Sequence, residues 1–172
     1  MTRILSLDDE PEILPLIGLI LKLAGYDHLC TTSNTEALAA LHNQPIDLFT
    51  QDLLRPDMDG WEFYQIMKAD EELRSIPVLC ISATFGSANQ MTAFIESLAE
   101  YGDDYIAKPF GPEELLIATT RMMKRHSKHI PTEEERVAGY EKLGRKSNWP
   151  EERLDNLYER ISSILKELNA SA

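Results

Sequence analysis

The sequence predicts an α/β protein, a doubly wound five-stranded parallel sheet followed by a helical C-terminal extension. Strand-length apolar segments alternate with helical segments five times over the first 124 residues. Such alternation gives a parallel sheet with helices on both faces. The residues after 124 carry helical signals and no strand signal. Polar residues also stand at the ends of four of the five strand segments, where open parallel sheets bind ligands.

The elements follow in order. Arg3–Asp8 is a short apolar run ending in acids, a buried strand. Glu12–Ala24 is an apolar helix with Pro15 in its first turn and Gly25 as its stop. Asp27–Thr31 is a second strand. Asn34 is expected to cap a helix through Leu41, and Pro45 ends the connection. Ile46–Gln51 is the third strand and runs into Asp52. The loop from Arg55 to Gly60 leads to a helix over Trp61–Asp70. Pro77–Ser82 is the fourth strand, Ala88–Glu100 a helix and Tyr105–Ala107 the fifth strand. Pro112 opens a helix through about Lys124, with Glu113 and Glu114 favourably placed on its dipole. Further helices are expected over Glu133–Leu143, ended by Gly144, and from a start at Asn148–Pro150 to about Leu168.

Composition narrows the class. The 172 residues are 43% apolar and 27% charged, an ordinary globular balance. No apolar run is long enough for a transmembrane helix. The N-terminus reaches Asp8, Asp9 and Glu10 at once, unlike a secretory signal, so the expected compartment is the cytoplasm. Cys30 and Cys80 both fall in strand segments without metal spacing and are expected to be reduced core thiols. His28, His42, His126 and His129 show no metal spacing, and the last two suit a helix C-terminus. The formal charge is −12, and residues 1–124 account for all of it. The tail is neutral, so the electrostatic footprint of a DNA binder is missing.

The strand ends carry the chemistry. Asp8 and Asp9, Asp52, Ser82 and Lys108 would meet on one rim. Carboxylates brought together need a cation, and an all-oxygen set suits Mg²⁺. A carboxylate can attack phosphorus to form an acyl phosphate. A divalent cation, an ammonium and a hydroxyl are the usual means of stabilising the transferred group.

Four segments carry a resemblance: LDDE at 7–10, QDLLRPDMDGWEF at 51–63, PVLCISA at 77–83 and GDDYIAKPF at 102–110. In their order and placement they resemble the CheY-like receiver domains of two-component response regulators, over residues 1–126. The resemblance implies a flavodoxin-like receiver with Asp52 as phosphoacceptor. It implies Mg²⁺ held by Asp9 directly, by Asp8 through water, by Asp52 and by the backbone carbonyl of Leu54. It gives Ser82 and Lys108 contacts to the phosphoryl group, a cis Lys108–Pro109 bond, and a switching role to Ser82 and Tyr105. The implied phosphodonor is a sensor histidine kinase or phosphotransfer protein. Three features depart from the pattern. Arg55 replaces an apolar residue, which would affect partner contacts. Tyr101 replaces a glycine. The Ser82–Lys108 segment is longer than usual.

Two other functions compete with this one. An aspartyl-phosphate phosphohydrolase of the haloacid dehalogenase type needs an acid two residues after the nucleophile, and Leu54 stands there. A DNA-binding transcription regulator needs more tail and more basic charge. The expected domains are the receiver, 1–126, and the extension, 127–172. In the extension Leu154, Leu157, Ile161, Ile164 and Leu168 are spaced as an a/d seam. Either a second copy or partner helix covers this seam, with a homodimer favoured, or it folds back on the chain.

Overall fold

A computed structural model describes residues 1–55, 59–83, 87–145 and 149–170. Strands β1 (Arg3–Leu7), β2 (Asp27–Thr31), β3 (Leu48–Gln51), β4 (Val78–Ser82) and β5 (Asp104–Ala107) form one parallel sheet. Their spatial order is β2-β1-β3-β4-β5. The crossovers contain α1 (Ile13–Leu23), α2 (Asn34–Asn43), α3 (Gly60–Ala69) and α4 (Ala88–Glu100), and α5 (Pro112–Arg125) follows β5. The chain ends in α6 (Glu133–Gly144) and α7 (Glu151–Ala170). Fold class and element order match the sequence prediction, with boundaries moved by two residues at most.

Strand alternation divides the interior into two cores. Ile4, Leu48, Leu79 and Ile81 face α1 and α5, while Leu5, Phe49, Val78 and Cys80 face α2, α3 and α4. Under the second layer lies a buried ion pair, Lys68 Nζ to Asp103 Oδ2 at 2.8 Å. Asp103 also accepts from the Tyr64 hydroxyl at 2.8 Å and the Val78 N–H at 2.7 Å, so its lone pairs are used.

Three local expectations need correction. Ser33, not Asn34, is the N-cap of α2; its hydroxyl accepts from the Glu36 N–H. The Asn34 carboxamide oxygen instead accepts from Arg55 Nη2 at 2.6 Å. Arg55 is buried and lies over the Phe63 ring, so it ties the loop after β3 to α2 rather than facing a partner. Cys80 is buried as expected, but Cys30 is exposed. It sits on the edge strand β2, beside a groove along α1.

The last two helices are layered onto the α/β part of the chain. Helix α6 packs on α1, and α7 packs on α5 and α1. Leu154, Ile161, Ile164 and Leu165 are buried in the same core as Ile17, Ile20 and Met122, with Leu157 and Leu168 at its margin. Gly139 permits the close approach of α6 to α1, because a Cβ there would stand 2.8 Å from the Lys22 carbonyl oxygen. Tyr140 and Tyr158 stack at 4.4 Å between α6 and α7, and Lys124 Nζ donates to the Leu168 carbonyl at 3.1 Å. Of the two coverings the sequence left open, the structure shows the intramolecular one. The favoured dimer or partner-helix seam is corrected accordingly: α1 and α5 already bury its apolar stripe.

Candidate functional site

Parallel strands deliver their C-terminal ends to one edge of the sheet; Asp8, Asp52 and Lys108 are the first residues past β1, β3 and β5, and Ser82 is the last residue of β4. The Asp52 N–H donates to the Leu7 carbonyl at 2.9 Å, and the Lys108 N–H to the Ser82 carbonyl at 2.9 Å. These bonds carry the β1–β3 and β4–β5 ladders into the site and fix the backbone there. Asp8, Asp52 and Ser82 are buried.

Both oxygens of Asp52 are held. Oδ1 accepts from the Ser82 hydroxyl at 2.6 Å and from the Leu54 N–H at 2.9 Å. Oδ2 accepts from Lys108 Nζ at 2.8 Å. The same ammonium donates to Asp8 Oδ2 at 2.8 Å and to Glu10 Oε1 at 2.6 Å. Asp8 Oδ1 is bonded by the Glu10 N–H at 2.9 Å. The loop after Asp52 is pressed onto the start of α3: a Cβ on Gly60 would meet Leu53 Cα at 2.4 Å and the Asp52 carbonyl oxygen at 2.6 Å. Only glycine fits there without moving the backbone that bears Asp52.

Burial pushes the Asp8 carboxyl above the ordinary carboxylate range, and the nearby Asp52 charge adds to this. Hydrogen bonds from Lys108 and the Glu10 backbone, and the Lys108 charge, oppose it. For Lys108 burial acts downward, but the bonds to Asp52, Asp8 and Glu10 outweigh it and raise the ammonium above its usual value. Lys108 is therefore firmly cationic.

Asp8, Glu10 and Asp52 each place a carboxylate oxygen within 4.8 Å of the others. Asp9 Oδ1 is buried and has no hydrogen-bond partner. One ammonium faces three carboxylates, and the next acid in the chain, Asp9, keeps a buried oxygen that no donor satisfies. This donor set fits a small, hard divalent cation.

The structure brings together Asp8, Asp52, Ser82 and Lys108. Asp9 stands outside the carboxylate group that shares Lys108, and Leu54 contributes its N–H to Asp52. The Tyr105 hydroxyl donates to the Ser82 carbonyl at 2.9 Å, and its ring meets Phe94 edge-on at 5.9 Å. The Lys108–Pro109 bond is cis, as the resemblance implied. Thr84, the position two after Ser82, lies outside the described residues. Glu10 was missed. The signal was present, since a third acid follows Asp8 and Asp9 directly, but its reach to Lys108 depends on a turn that spacing does not reveal.

A model of the response regulator receiver domain matches residues 4–120. The chain belongs to the response-regulator receiver family. Receivers are signalling phosphoacceptors that bind Mg²⁺ at an acidic pocket and interact with histidine kinases or phosphotransfer proteins. This receiver is 37% identical over 132 residues to the DNA-binding dual master transcriptional regulator RpaA of Synechocystis, covering 76% of this chain and 52% of RpaA. It is 33% identical to the response regulator SaeR of Staphylococcus aureus, covering 78% of this chain and 57% of SaeR. The chain thus spans little more than half the length of these relatives. Among solved structures it is similar to the chemotaxis response regulator CheY4 of Vibrio cholerae, with a TM-score of 0.62 at 25% identity. That match covers 71% of this chain and 98% of CheY4. It is also similar to the receiver domain of sensor histidine kinase PA1611 from Pseudomonas aeruginosa, with a TM-score of 0.58 at 26% identity, over 72% of this chain and 98% of that one. The PA1611 structure has a magnesium ion coordinated in its active-site cleft. Among the described residues of this receiver, no helix is long and apolar enough to cross a membrane.

Proposed function

We propose that this protein is a phosphorelay switch in which Asp52 accepts a phosphoryl group from the phosphohistidine of a sensor kinase or phosphotransfer protein. The observation that carries the reading is the clamp on Asp52: Ser82 and Leu54 on one oxygen, Lys108 on the other. A carboxylate oxygen of Asp52 attacks phosphorus, the phosphorus–nitrogen bond breaks with its electron pair going to nitrogen, and the histidine leaves as neutral imidazole, carrying the proton of its other ring nitrogen or one taken from solvent. Lys108 neutralises charge on the transferred group, and Ser82 donates its hydroxyl to it. Asp9, Asp8, Asp52 and the Leu54 carbonyl would hold Mg²⁺, which supplies charge neutralisation at the phosphoryl oxygens.

Phosphorylation removes the carboxylate charge of Asp52. The bonds of Ser82 and Lys108 must then be remade, and Tyr105, tied to the Ser82 carbonyl, is placed to feel that change. Residues 1–126 form the phosphoacceptor unit, and 127–172 its helical cover. Output passes through protein contacts. RpaA's description raises a DNA-binding reading, but the −12 charge of this chain counts against it.

The test is acetyl phosphate labelling with Mg²⁺, followed by reductive trapping of the acyl phosphate. One label should map to Asp52 and be lost in Asp52→Asn and in EDTA. Asp9→Ala should weaken Mg²⁺ binding more than Asp8→Ala. Labelling of Asp52→Asn at the wild-type level would sink the assignment.

A further inference from the structure

The two faces of the sheet are dressed unequally. Helices α1 and α5 lie under α6 and α7, whereas the α3–α4 side carries no second layer among the described residues. Between α3 and α4 runs a furrow made of two adjoining cavities, about 470 and 310 Å³, which meet at Trp61 and Ser97. Small side chains open it: Ala69 on α3, and Ala93 and Ser97 on α4. Aromatic rings floor it. Trp61 stacks on Tyr64 at 5.2 Å and meets Phe94 edge-on at 5.4 Å, so the floor is rigid. Leu54 and Tyr101, each 49% exposed, stand at its two ends.

The charges around this apolar floor have one sign. Helix α4 carries Glu96 and Glu100 and no basic residue. The only base on α3, Lys68, is buried in its pair with Asp103. Asp59 and Glu62, at the α3 N-terminus, are exposed. An acidic rim repels an identical rim, which argues against a second copy as occupant. The chain's own seam is already buried on α1 and α5. What fits is a helix with an apolar stripe and Lys or Arg on its flanks.

We propose that the α3–α4 furrow is the docking site for a basic-flanked amphipathic helix of a partner protein. The furrow's wall begins at Leu53 and Leu54, directly after Asp52, so the helix docks beside the phosphoacceptor clamp. Binding to the unphosphorylated protein tests the furrow independently of the phosphorylation reading.

The probe is a dye-labelled synthetic peptide with Leu at helical spacing and Lys on the flanks, titrated into the full chain by fluorescence anisotropy. Controls are the same residues scrambled to destroy the stripe, and a version with Glu for Lys. The amphipathic Lys peptide should bind saturably and more weakly at high salt, and at least tenfold more tightly than either control. Ser97→Trp, which fills the waist, should weaken it at least tenfold. Val137→Trp, equal bulk on the exposed face of α6, should change nothing. Should Ser97→Trp misfold, Glu96→Lys with Glu100→Lys should shift preference toward the Glu peptide. Equal binding by the scrambled peptide, or unchanged binding by Ser97→Trp and by the charge-reversed variant, overturns the proposal. So does a dimer by light scattering that Ser97→Trp abolishes, since the occupant would then be a second copy.

Discussion

Lys108 Nζ stands 2.8 Å from Asp52 Oδ2, joining two residues 56 positions apart in the chain. The same ammonium is the only described cation on Asp8 and Glu10, so it balances three carboxylates at once.

Replacing it should make the fold dependent on Mg²⁺. Without metal, Lys108→Ala should lose roughly 1.5–3 kcal/mol of stability, the worth of a charge-assisted hydrogen bond in a partly buried site. Added Mg²⁺ should restore much of this and bind several-fold more tightly than to wild type. The response to beryllofluoride should fall. Thermal melts with and without each additive check all three. Equal behaviour of the variant and wild type would reduce Lys108 to a surface lysine.

The acyl phosphate should outlast minutes. Hydrolysis needs a water in line with Asp52, and the side chain two positions on is Leu54, apolar and half exposed. It can neither orient nor deprotonate a water. Leu54→Glu should shorten the lifetime by about tenfold or more. A wild-type half-life of seconds in purified protein would refute the argument.

Deleting residues 130–172 should harm the receiver itself. Leu154, Ile161, Ile164 and Leu165 leave the core together, and burial of each such side chain contributes about 1.5–3 kcal/mol. The bared α1–α5 face would also be sticky. The truncated protein should melt well below the full chain or associate, by calorimetry and light scattering. A monomer as stable as wild type would mean the extension is not part of the core.

Acid should weaken the fold in a window set by His28. Its ring is buried, with Nε2 2.9 Å from Ser6 Oγ. Burial first, then the Lys22 charge, lowers its pKa to about 4, against a lesser upward pull from Asp27. The unfolded chain, near 6.5, binds the proton more readily. The contribution is therefore complete above 6.5 and is lost as pH falls from 6.5 through 4, roughly 3 kcal/mol in all. His28→Gln should be less stable at pH 7 and show a flatter stability profile between those limits. An unchanged slope in denaturant titrations would rule the group out.

The βα alternation was legible because a buried parallel strand is continuously apolar and Gly25 and Pro112 punctuate the helices. Asp8, Asp52, Ser82 and Lys108 were legible because topology alone sends strand ends to one rim. What escaped depended on side-chain reach or on relations between layers. Glu10 bends back to Lys108. Asp103 turns inward to Lys68, though its sequence neighbours read as a loop. Ser33 and Asn34 are both good caps, and the choice between them was settled by Arg55 drawing on the Asn34 side chain. The a/d seam of α7 declared an apolar stripe; periodicity holds no information on which surface meets it.

The docked α7 sets a kinetic and competitive condition on every ligand of the α1–α5 flank. A tethered helix is always present and needs no collision, so a rival can enter only while the tail is away. If docking is favoured by roughly 4 kcal/mol, the flank is bare about one part in a thousand. A competitor then binds about a thousandfold more weakly than to the naked surface, and no faster than the tail lets go. Any change that loosens α7, at the Tyr140–Tyr158 stack or the Lys124–Leu168 bond, would raise the apparent affinity of such a competitor without touching its own contacts.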